Sequence, residues 1–221
     1  MMPDLPAQAV LFDLDGTLVD TAPDLAAATN ALRLHHGLEP LAFDVIRGQV
    51  SNGGSALVTL ALGLDVEHPE HDASRSRLLD TYEQALAVHS RVFAPLDEWL
   101  RGWQRKSRPW GIVTNKPRRY AEPLIEALAL RPGALLCADD LAVKKPAPEP
   151  LWEAAKRLGV APEACWYVGD HLRDMQAAKA AGMTAVAVGY GYISADDDYR
   201  QWPADVWFDD CAALVRALNA F

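Results

Sequence analysis

Ala9-Val10-Leu11-Phe12-Asp13-Leu14-Asp15-Gly16-Thr17 opens on four apolar residues and turns abruptly acidic. An apolar run without alternation suits a strand buried on both faces, as in a parallel sheet. Asp13 and Asp15 follow at the end of that strand. Two carboxylates so close raise each other's pKa unless a cation intervenes. A polar turn also explains Asp and Gly at such a place, since both are turn formers. The rest of the chain bears on the choice.

Short apolar runs recur at Gly111-Ile112-Val113-Thr114, Ala134-Leu135-Leu136-Cys137, Cys165-Trp166-Tyr167-Val168 and Thr184-Ala185-Val186-Ala187-Val188. Helical faces lie between them: Tyr120, Leu124, Ile125 and Leu128; Leu151, Ala155 and Leu158; Met175, Ala178 and Ala181, with Gly182 as a stop. Strand and helix in alternation predict a doubly wound, Rossmann-like α/β parallel sheet. Residues 20–90 break the alternation and read as helices alone, from Pro23 to about His36, Ser55 to Leu62 and Ser74 to His89. They form a candidate lid inserted into a core made of residues 1–19 and 91–221. Formal charge marks the same boundaries: −3 over 1–19, −6 over 20–90 and zero over 91–221. Five of the six histidines also fall in the middle stretch.

At 221 residues, half of them apolar and 23% charged, the chain can bury a full core without staples. A net charge of −9 disfavours non-specific binding to nucleic acid or to an anionic membrane. The oligomeric state stays open. Cys137, Cys165 and Cys211 make an odd count without a C-x-x-C pair, so they read as buried thiols of a reducing compartment. No apolar run approaches the ~20 residues of a membrane span, and Met1-Met2-Pro3-Asp4 lacks the basic start of a signal peptide. The expected location is the cytoplasm.

Three further segments follow predicted strands or precede helices. Gly169-Asp170-His171-Leu172-Arg173-Asp174 brings more acids to a strand's carboxyl end, where ligands of open α/β sheets bind. Acids converging there suit Mg²⁺, although helix capping also explains Asp170 and Asp174. In Thr114-Asn115-Lys116 a hydroxyl and following N–H groups can hold a phosphoryl oxygen, or simply cap a helix. Lys144-Lys145-Pro146 supplies cations that balance acids and phosphate, or a solvated pair.

In this order and spacing, the four segments resemble the haloacid dehalogenase superfamily of phosphotransferases. The resemblance spans essentially the whole chain, with 20–90 standing where one subclass carries a helical cap. It implies Asp13 as nucleophile, forming an aspartyl-phosphate, and Asp15 as general acid and base. It implies Mg²⁺ on Asp13, the Asp15 carbonyl and Asp170, with Asp174 orienting a metal-bound water or Lys145. Thr114 and Lys145 would hold phosphoryl oxygens, with Asn115 beside them. Asp15 argues against dehalogenation, which needs no acid there and no metal.

Arg47, Gln49, Ser51, Asn52, Gly53 and Gly54 are candidate readers of the substrate's leaving group. Arg47 could meet a carboxylate or phosphate. His89 reads as a packed or capping residue at the lid's return, with Arg118 nearby, and Trp99 and Trp103 as packing one helical turn apart. Arg47-Gly48 with Gly53-Gly54, Ala87-Val88-His89-Ser90, Val113 to Pro117, Ala121-Glu122-Pro123 and Tyr190-Gly191-Tyr192-Ile193 resemble the phosphoglycolate phosphatase-like subgroup. Within it they are most similar to bacterial phosphatases of N-acetylmuramic acid 6-phosphate, which act in cell-wall sugar recycling. Phe93-Ala94-Pro95-Leu96 departs from the Pro-Gly of relatives at the lid's exit. The implied partner is a small phosphomonoester. A phosphosugar mutase and a non-catalytic binding protein of the same fold remain alternatives.

Overall fold

The computed structural model describes residues 7–194 and 196–220. The reading of Met1-Met2-Pro3-Asp4 lies outside them. β1 (Ala9–Phe12) leads through β2 (Val19–Asp20) into four helices: α1 (Ala22–His35), α2 (Phe43–Arg47), α3 (Gly53–Leu62) and α4 (His71–Gln84). The chain returns through β3 (Arg91–Val92) to α5 (Leu96–Arg105) and β4 (Trp110–Val113). There follow α6 (Arg118–Ala127), β5 (Ala134–Leu136), α7 (Glu149–Leu158), β6 (Cys165–Gly169) and α8 (Leu172–Ala181). The remaining elements are β7 (Thr184–Val188), β8 (Val206–Phe208) and α9 (Cys211–Leu218).

Six strands form one parallel sheet in the order β5-β4-β1-β6-β7-β8. The apolar run of β1 explains its central place: all four residues are fully buried. Alternation sends them to different layers. Val10 and Phe12 join Trp99, Trp103 and Leu124 on one face, while Ala9 and Leu11 join Leu151 and Met175 on the other. Phe12 pairs with Ile112 of β4 and Val168 of β6, so three central strands end side by side. Asp13, Thr114 and Asp170 therefore emerge near one another. Trp99 and Trp103 pack as expected, their ring centroids 4.7 Å apart in the core. The three cysteines are buried and free.

The four inserted helices gather around their own apolar cluster, including Leu25, Leu32, Ile46, Leu57 and Leu78. Pro23 lies in the first turn of α1, where its missing N–H costs no helical hydrogen bond. The insertion leaves and returns through an antiparallel ribbon pairing Val19 with Val92 and Asp20 with Arg91. Asp24, buried in the first turn of α1, accepts from His89 N (2.9 Å), Ser90 N (2.9 Å) and Ser90 Oγ (2.6 Å).

Some elements depart from expectation. Residues 20–90 are not helical from their first residue, because Asp20 belongs to β2, which pairs with β3 just beyond them. α4 stops at Gln84 rather than His89, and Ala87 takes a left-handed φ of 60° as the chain turns. The His89 ring is exposed, neither packed nor capping; only its backbone is held. α2, β8 and α9 were not foreseen. Gly182 ends α8 as expected, at φ 76°.

Candidate active site

The carboxyl edge of β1, β4 and β6 and the inserted helices enclose a cavity. Asp13, Asp15, Thr114, Asn115 and Lys116 line it from the sheet side, and Leu57, Leu79 and Tyr82 from the helices. Asp13 is buried directly after β1, its backbone N–H donating to Val168 O at 2.9 Å. Gly16 completes the turn at φ +81°, and a Cβ there would collide with the Asp170 carboxylate. Only glycine meets both demands.

Oxygens of Asp13, Asp170 and Asp174 lie within 4.8 Å of one another, all three buried. Lys145 Nζ sits 2.8 Å from Asp13 Oδ1 and 2.7 Å from Asp174 Oδ1. Its third contact donates to Tyr167 Oη at 2.7 Å, and Tyr167 donates in turn to Val113 O at 2.8 Å. An ammonium has three donors. Two ion pairs and this hydrogen bond make Lys145 the charge balance of the cluster. Asp174 Oδ2 accepts from His171 N at 3.1 Å, closing a reciprocal cap on α8. Both Asp174 oxygens are therefore engaged inside the protein. Asp170 accepts from Thr17 Oγ1 (3.0 Å), Tyr192 N (2.8 Å) and Ser51 Oγ (3.3 Å).

One ammonium does not neutralise three acids. Burial, then Asp13 and Asp174, push the Asp170 carboxyl up to about 7. Burial likewise raises Asp13, against the pull of Lys145. A buried, oxygen-only cluster short of positive charge fits a hard divalent cation.

Asp15 is held by two groups on one oxygen: Thr21 Oγ1 donates at 2.6 Å and Lys116 Nζ at 2.9 Å. Lys116 also lies 4.7 Å from the centroid of the Tyr82 ring, contributed by α4. Burial works against its charge, but Asp15 and then Tyr82 outweigh it and hold the ammonium above its ordinary range. Thr114 Oγ1 accepts from Lys116 N at 3.1 Å, which leaves its proton for a ligand. Asn115 Nδ2 donates to Lys145 O at 2.9 Å.

Among the leaving-group candidates, Ser51 and Gly53 line the cavity, and Ser51 reaches Asp170 as well. Arg47 and Asn52 do not line it. Arg47 donates to Tyr190 O at 2.8 Å and lies over the Tyr192 ring, tying helices to sheet. Asn52 meets Gln49 Oε1 at 3.0 Å on the surface. Arg118 pairs with Asp140, Nε to Oδ1 at 2.8 Å. Sequence reading gave no role to Thr17, Lys116, Arg173 and Tyr192, although each stands in a quoted segment. Arg173 lines the cavity and donates to Ser51 O at 2.6 Å. Lys116 carried a usable signal: it closes the same strand-end segment as Thr114.

A family model described as haloacid dehalogenase-like hydrolase matches residues 7–182. The chain belongs to this family. Among relatives of this hydrolase, the N-acetylmuramic acid 6-phosphate phosphatase of Pseudomonas aeruginosa is 42% identical over 214 residues. That match covers 96% of this chain and 95% of the relative. A phosphoglycolate phosphatase of Xanthomonas campestris pv. campestris is 41% identical over 201 residues, covering 90% of each. The crystal structure of a "predicted phosphoglycolate phosphatase" from Haemophilus somnus superposes with a TM-score of 0.81 at 25% identity. It covers 99% of this chain and 100% of that one. The haloacid dehalogenase-like hydrolase described here thus shares fold and length with phosphatases. No helix among its described residues is long and apolar enough to cross a membrane.

Proposed function

We propose that this phosphatase hydrolyses a small phosphomonoester whose leaving group carries a carboxylate, N-acetylmuramic acid 6-phosphate or phosphoglycolate, through an aspartyl-phosphate on Asp13. The observation that carries the reading is the pairing of Asp13 with a second, separately held carboxylate, Asp15, in one cavity. Asp13 Oδ1 is taken by Lys145, and Oδ2 has no hydrogen-bond donor among the described residues. That oxygen attacks phosphorus, the bond to the leaving oxygen breaks, and Asp15 gives its proton to the leaving group. Water then attacks the aspartyl-phosphate and loses a proton to Asp15, which releases phosphate and restores Asp13. The Thr114 hydroxyl and Asn115 orient the phosphoryl group.

Asp13, Asp170 and the Asp15 carbonyl would hold Mg²⁺, with Asp174 fixed outside them by Lys145. When bound, the ion cancels charge between an anionic nucleophile and an anionic ester. Residues 20–90 serve as the lid over the core of 1–19 and 91–221. Three buried, free thiols support a reducing compartment such as the cytoplasm. The Pseudomonas relative supports the sugar acid and a place in cell-wall sugar recycling; the Xanthomonas relative supports phosphoglycolate.

The test is phosphate release from both esters, with Mg²⁺ and with chelator, by wild type and Asp13→Asn. Wild type should require the metal, and the variant should lose at least ~10³-fold in kcat, about 4 kcal/mol of barrier. Full turnover by Asp13→Asn would sink the nucleophile assignment. A rearranged phosphosugar in place of free phosphate would make it a mutase.

A further inference from the structure

Each cation that lines the cavity from the sheet side has an acceptor in the protein. Lys116 holds Asp15, and Arg173 holds the Ser51 carbonyl. Arg75 lines the same cavity from α4, and no carboxylate or carbonyl among the described residues accepts from it. Its direction follows from its helix. Residues 75, 79 and 82 fall on one face at spacings of four and three. Leu79 and Tyr82 of that stripe line the cavity too, so the face is turned inward. The neighbouring wall is apolar, while Arg75 itself reaches solvent and stands at the rim of the cavity.

A guanidinium without a protein partner beside an apolar wall is suited to a planar anion, which it binds bidentately. We propose that Arg75 is a specificity-determining residue that binds the carboxylate of the leaving group. This rests on the functional reading above, in which both named esters carry such a carboxylate. Because Arg75 belongs to the inserted helices, it selects the substrate without touching phosphorus.

Two matched ester pairs test it: N-acetylmuramic acid 6-phosphate against N-acetylglucosamine 6-phosphate, and phosphoglycolate against ethyl phosphate. Wild type, Arg75→Gln, Arg75→Lys and Arg77→Gln are compared, with p-nitrophenyl phosphate as a reporter of the chemistry. In at least one pair, wild type should prefer the carboxylate-bearing ester. Arg75→Gln should shrink that preference by on the order of 10- to 100-fold, chiefly through KM. Arg75→Lys should recover part of it. Arg77→Gln, two residues along α4 and outside the cavity lining, should keep it. Metal-dependent turnover of p-nitrophenyl phosphate with no carboxylate preference in either pair, or a preference that survives Arg75→Gln, would overturn the proposal and leave the phosphatase standing. No metal-dependent release from any ester would overturn the functional reading and this inference together.

Discussion

At the scale of single residues, the proposed mechanism separates charge balance from proton transfer. Lys145 is paired with Asp13 and Asp174 and bonded to Tyr167, whereas Lys116 serves Asp15. Replacing Lys116 with Met should cost about 10- to 100-fold in kcat on a sugar phosphate, whose leaving oxygen needs a proton. The loss on p-nitrophenyl phosphate should be much smaller, because that leaving group departs without one. Equal losses on both esters would argue that Lys116 acts only on the fold. The acids of Asp13-x-Asp15 and Asp170 were legible because carboxylates at strand ends need a reason. Arg75 and Arg173 were not, because a lone arginine carries no local pattern; the cavity alone gives each its role.

At the scale of elements, buried carboxylates pin loops to helix ends. Asp24 satisfies two backbone N–H groups and a hydroxyl on the lid's return segment. Asp24→Ala would strand all three, and urea unfolding should report a loss of about 2–4 kcal/mol. Asp140 ties the start of α6 to the loop after β5. The Arg118 hydrogen bonds hold its carboxyl below the ordinary range, against burial, with help from the Cys137 N–H. A depressed folded-state pKa stabilises above the ordinary aspartate value and fades as pH falls through it and below. Between about pH 5 and 3, around the ordinary aspartate value, wild type should therefore lose slightly more stability than Asp140→Asn, by under ~1 kcal/mol given the partial exposure. Identical acid profiles would contradict this. Runs of buried apolar residues made the five central and flanking strands readable. β8 and α9 were missed because their burial comes from packing at the sheet's edge, and α2 because five residues show too little periodicity. The ribbon β2–β3 escaped notice since its partners lie some 70 residues apart in sequence.

At the scale of the whole molecule, a divalent ion and the fold should stabilise one another. Mg²⁺ at about 100 times its Kd adds roughly 2.7 kcal/mol to a protein that binds it only when folded. Thermal melts should move up with Mg²⁺ for wild type and stay put for Asp170→Asn; a shift that persists in the variant would place the ion elsewhere. Tyr192 connects the same carboxylate to the lid. Its N–H holds Asp170, while its hydroxyl accepts from Thr21 N and Ala22 N and donates to Asp20. Thr21, just past the ribbon, also holds Asp15. A rotation of the proposed lid large enough to pull Thr21 away would leave the proposed proton donor held by Lys116 alone. On the proposed mechanism the molecule would then behave as an interlock: with the gate ajar, bystander phosphoesters would meet a nucleophile whose trigger is only half held, and a guest that lets the gate shut would be cut faster.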